Sequence, residues 1–122
     1  MAIFSHEEKC AMIIALTQIG TIDDSRKEAR TRIMLRFQDM LSIDMFDTIE
    51  YSNTKSNEVC STIAAMSVEQ KKQFVRMMLA LILEDWKMVP TEQDAFSTLI
   101  VACQIPFDIV KGVMEEMVRR KS

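Results

Sequence analysis

The chain has 122 residues, of which 48% are hydrophobic and 27% charged, and its net charge is −3. That length can bury a core without disulfides or metal, and the interspersed charges lack the basic face that nucleic acid demands. Two Gly and two Pro are too few for the turns of a loop-rich β fold.

Ser5, His6, Glu7 and Glu8 interrupt the N-terminal segment, so the basic start and apolar run of a signal peptide are missing. The same residues fit a capping box, as do Ser25-Arg26-Lys27-Glu28 and Ser67-Val68-Glu69-Gln70. From these starts and the apolar spacing, helices are expected near 6–19, 24–41, 43–52, 57–66, 68–85, 90–104 and 106–120. Pro90 and Pro106 suit first helical turns, where a missing N–H costs nothing. The polar stretch Tyr51 to Asn57 reads as a short exposed loop. In the fifth helix Phe74, Met77, Met78 and Leu81 share a face, while Val75, Leu79 and Leu83 make the others apolar, the pattern of a central bundle helix. In the last helix Phe107, Val110, Met114 and Met117 form the expected inward stripe. The longest apolar stretch, Met77 to Leu83, is far below the ~20 residues of a membrane span.

The chain also repeats itself. Met12–Phe37 and Met78–Cys103 align without a gap at a spacing of 66, pairing Met12 with Met78, Leu16 with Ile82, Ala29 with Ala95 and Ile33 with Leu99. Ile43 and Ile105, however, stand 62 apart, so the first copy's second helix is expected to be one turn longer. The expected architecture is all-α: one domain over 1–122, a bundle of about seven helices, with copy one near 8–52 and copy two near 68–119.

Chemistry is sparse. Cys10, Cys60 and Cys103 fall in apolar helical patterns and read as buried small hydrophobes of a reducing cytoplasm. His6, the one histidine, has no second ligand beyond Cys10 and reads as a surface residue. No phosphate loop and no nucleophile beside a base are present, so an enzyme is not expected. The eleven Met suit an irregular core or an adaptable binding surface, with the core as the first expectation.

At the break between paired helices the sequence resembles the tellurite-resistance TerB-like family. That signature is an apolar helix ending in Asp-Gly, a hydrophobic residue two positions on, and a Glu seven residues after the Asp. The second copy, Leu83-Glu84-Asp85-Trp86-Lys87-Met88-Val89-Pro90-Thr91-Glu92, keeps Asp85 and Glu92 but has Trp86 in place of Gly. The first copy keeps Gly20 but has Ile19 and Arg26 at the acidic positions. The resemblance, spanning residues 8–118, implies an all-helical module of stress-related or membrane-associated complexes. It also implies a hard-cation site, for which Glu84, Asp85 and Glu92 are the remaining ligands, enough for weak Ca²⁺ or Mg²⁺ binding at most.

Helical spacing suggests another use for these acids. Arg26 and Arg30 share a stripe with Ile33 and Phe37, and Glu92 precedes Phe96 and Cys103 on an inward stripe. Charges drawn toward a core need partners, so Arg26 or Arg30 is expected to pair with Asp85 or Glu92 in place of a metal. The plainer alternative leaves Asp85 and Glu92 capping helices in solvent. Trp86 is a candidate anchor for a protein partner if exposed, or a plug folded onto the bundle. The expectation is thus a non-enzymatic cytoplasmic interaction module, without a cofactor, nucleic acid or membrane span. Its partner is another protein or a second copy. A divalent-cation domain is the alternative.

Overall fold

The computed structural model describes residues 3–20, 27–83 and 90–121. Among them the chain is all-α, with no strand. The helices are α1 (His6–Gly20), α2 (Lys27–Met40), α3 (Met45–Lys55), α4 (Val59–Ala64), α5 (Val68–Ile82), α6 (Pro90–Ala102) and α7 (Phe107–Lys121). A 3-10 turn, Ser56–Glu58, joins α3 to α4. The stretch expected as a loop is therefore helical to Lys55, because Asp44 accepts from the Asp47 N–H at 2.9 Å and starts α3 firmly.

α1 and α5 form the centre. α1 packs against α2, α3, α4, α5 and α6, and α5 packs against α1, α2 and α7. Their burial explains this arrangement: Met12, Ile13, Leu16 and Ile19 of α1 and Phe74, Val75, Met78 and Leu81 of α5 lie in one shared hydrophobic cluster. At roughly 1.5–3 kcal/mol per large apolar side chain removed from water, these residues dominate the driving force.

The two halves correspond, but in a register other than the one apolar matching suggested. Ser5 and Ser67 cap α1 and α5 through the same box: Glu8 N–H to Ser5 Oγ and Gln70 N–H to Ser67 Oγ, both 3.2 Å. Ser42 and Gln104, which follow α2 and α6, are both left-handed, with φ of 54° and 53°. Each closes the same Schellman turn, with Ile43 N–H reaching Gln38 O and Ile105 N–H reaching Ile100 O, both at 3.0 Å. All these markers lie 62 residues apart, the sequence separation of Glu8 and Gln70. The spacing of 66 is thus one helical turn out of phase. A four-residue slip keeps i and i+4 on one face, so apolar still meets apolar and the slip goes unnoticed. The longer second helix expected for the first copy turns on where α2 and α6 begin, and residues 21–26 and 84–89 lie outside the described residues.

Equivalent positions meet one another. Gln70 Nε2 donates to its counterpart Glu8 Oε1 at 3.0 Å, and α2 packs on α5 as α6 packs on α1. Contacts of this kind define a pseudo-twofold relation between the halves. The inward stripe of α7 is Ile109, Val110 and Val113, while Phe107 and Met114 are exposed, which corrects the stripe expected from Phe107 and Met114.

A left-handed residue other than Gly carries steric strain of roughly 1–2 kcal/mol, partly offset by the extra chain entropy that Gly loses. Ser42→Gly and Gln104→Gly are each expected to stabilise the fold by about 0.5–1 kcal/mol, read as a higher urea midpoint at unchanged slope.

Candidate functional site

Arg30 lies one turn into α2, on the stripe that continues through Ile33 to the buried Phe37. Glu92 lies in the first turn of α6, which begins at Pro90. Pro there forgoes no hydrogen bond, and the helix N-terminus favours a carboxylate. Arg30 Nη2 donates to Glu92 Oε2, and the two side chains are 2% and 0% exposed. They are the buried charged residues of the described core.

The pair is separated by 62 residues, so Arg30 and Glu92 are themselves equivalent positions of the two halves. The charges meet on the same pseudo-dyad as Glu8 and Gln70. Arg26, Glu84, Asp85 and Trp86 fall outside the described residues. Of the acids considered for a cation, Glu92 presents its Oε2 to a guanidinium. Among the described residues no group of three or more His, Cys, Asp and Glu side chains is arranged to hold a metal ion.

Beside the pair runs a cleft of about 220 Å³ between α1, α2 and the start of α3. Arg30 contributes to its wall together with Thr17, Thr31, Met34, Leu35, Gln38 and Met45. Two of its wall residues, Leu35 on α2 and Met45 on α3, are exposed apolar side chains, and Phe46 and Ile49 on the same helix as Met45 are exposed as well. Phe46 is 82% exposed, the highest value for an aromatic residue in the described helices. The aromatic residues Phe4 and Tyr51, by contrast, are buried. These exposed residues had a signal in the sequence. Leu35 and Phe46 fall outside the inward stripes of their helices, where a purely structural sequence would place polar residues.

Two of the thiols, Cys10 and Cys103, sit in environments that suppress reactivity. Cys10 is buried, donates to the Asp47 carbonyl at 3.7 Å and lies 3.8 Å from the exposed His6 Nε2. Burial first, then the Asp47 charge, pushes its thiol above the ordinary range, away from a thiolate nucleophile. Cys103, also buried, has the Cys60 thiol as a hydrogen-bonding neighbour. Cys60 is only half-buried, less enclosed than expected.

No family model and no curated protein matches the chain. A solved structure does: a protein of unknown function from Porphyromonas gingivalis W83, with a TM-score of 0.69 and 20% sequence identity, over 96% of this chain and 92% of that one. At that identity the likeness establishes the fold alone.

Removing one member of a buried pair strands the other charge, at a cost of about 3–5 kcal/mol, whereas an apolar pair of similar volume is often tolerated. Arg30→Met and Glu92→Leu are each expected to lower stability by that amount, and Arg30→Met/Glu92→Leu to lose less than either. Urea unfolding of the three variants checks this; additive losses contradict it.

Burial, reinforced by Cys60, raises the Cys103 thiol from 9.0 to about 12. The folded state keeps a proton that the unfolded chain releases. The associated stability is therefore intact below pH 9.0 and lost as pH rises toward about 12. Cys103→Ala is expected to flatten the decline in melting temperature above pH 9.0 relative to wild type.

Proposed function

We propose that this chain is a non-enzymatic helical interaction module whose protein partner docks on the apolar strip of α2 and α3. The observation that carries the reading is the exposure of Leu35, Met45, Phe46 and Ile49, at 54%, 58%, 82% and 49%, with Leu35 and Met45 also lining the cleft. Met45 and Ile49 are one turn apart, as are Phe46 and Ile49, so the three share one side of α3. Single exposed apolar residues are ordinary, but a contiguous group beside a concavity is the usual form of a binding surface. Met45 and Phe46 contribute an adaptable thioether and a large flat ring, which suit a partner groove or helix.

A module of this type needs no cofactor. The TerB-like resemblance supports a stress-related setting in the cytoplasm. No described helix is long and apolar enough to cross a membrane.

Affinity capture with the full chain from its native lysate tests the reading. Phe46→Ser and Ile49→Ser are expected to lose a partner that wild type retains. Val101→Ser, which alters the exposed Val101 of α6, is expected to retain it. All variants should keep the wild-type circular dichroism, because the altered side chains are at the surface. An identical set of captured proteins from every variant contradicts the proposal.

A further inference from the structure

Arg30 has more donors than Glu92 uses. Nη2 is bound to the carboxylate, but Nε and Nη1 are buried and have no hydrogen-bond partner among the described residues. Buried donors are almost always satisfied, by protein, water or ligand, because desolvating them without an acceptor is unfavourable. The same side chain contributes to the wall of the cleft between α1, α2 and α3. A built polar anchor thus underlies a concavity whose other walls are mainly alkyl and thioether.

We infer that this cleft binds a small monocarboxylate with a short alkyl tail. The carboxylate accepts from the spare N–H groups of Arg30, and the tail lies against Met34, Leu35 and Met45. Charge-assisted hydrogen bonds favour a carboxylate over a neutral carbonyl. Phosphate is a poorer match, because the described lining offers no second cation and Glu92 already neutralises Arg30. A single negative charge is tolerated because the guanidinium stands between it and Glu92. The cleft's volume of about 220 Å³ lies below the range of roughly 300–1,000 Å³ for drug-sized ligands, which restricts the tail to about four to eight carbons.

Access requires a side chain to move, since Nε and Nη1 are closed to solvent. Met34 and Met45 are the suitable gates: unbranched, with three rotatable bonds, and Met45 more than half exposed. This site shares Leu35 and Met45 with the proposed partner surface but does not depend on it. Capture of a protein partner and binding of a small molecule can succeed or fail separately.

The probes are butanoate, hexanoate and octanoate, with hexanol and hexylamine as controls, added to the full chain at neutral pH and constant ionic strength. Hexanoate is expected to raise the melting temperature and to shift the methyl resonances of Met34, Leu35 and Met45, with no such effect from either control. Arg30→Lys keeps the charge facing Glu92 but replaces the planar guanidinium fork with a shorter point-charge ammonium that Glu92 engages, and is expected to weaken hexanoate binding by about tenfold or more. Met34→Trp fills the cleft and is expected to abolish the response, which keeps the test decisive if Arg30→Lys fails to fold. An equal response to hexanol or hexylamine, or full hexanoate binding by Met34→Trp, overturns the inference.

Discussion

The Arg30–Glu92 pair constrains everything around it. Two ions taken out of water return little net stability compared with a well-packed apolar pair, yet neither can be left alone. Helices α2 and α6 must therefore arrive together, because each carries the counter-charge of the other. The site couples the two halves more strictly than apolar packing does. Methionine and leucine side chains can slide by a rotamer and still be buried, whereas a guanidinium has few acceptable positions for its carboxylate. The first turn of α6 adds to this by placing Glu92 where backbone N–H groups favour negative charge.

Around the pair the molecule divides its apolar residues into two populations. Most of those in α1 and α5 are enclosed and define the centre, Val68 at the start of α5 being exposed. Those at the outer side of α2 and the start of α3 are open, and they adjoin the cleft that Arg30 reaches. The eleven methionines are divided in the same way: Met12, Met77 and Met78 fill the interior, while Met45 and Met114 face outward. The open group has no structural task in the described chain, which is why a binding role is assigned to it rather than to the enclosed thiols or to His6.

Much of this was legible from the amino acids. The helical class followed from apolar spacing and from the scarcity of Gly and Pro. Ser5 and Ser67 marked helix starts because a hydroxyl followed three residues later by Glu or Gln satisfies exposed N–H groups reciprocally. The repeat was visible, but its register was not. Apolar identity alone cannot separate alignments that differ by one turn, whereas caps and left-handed residues can, since each occurs at one place per helix. Ser42 and Gln104 gave no warning, because neither is the glycine that usually occupies such a turn. Arg30 and Glu92 were legible as inward charges, but the choice of partner required the fold. The exposed strip left a trace in the sequence, because Leu35 and Phe46 lie off the inward stripes of their helices, but that no neighbour in the described chain covers them required the fold.

The meeting of Arg30 and Glu92 on the pseudo-dyad makes the two halves non-interchangeable. Were two N-terminal halves from separate molecules to associate through these faces, guanidinium would confront guanidinium; two C-terminal halves would oppose carboxylate to carboxylate. Either encounter is electrostatically forbidden in a water-free interior. Complementary charge at a self-facing position thus disfavours the pairing of like halves and admits the mixed union, which one continuous polypeptide supplies within itself.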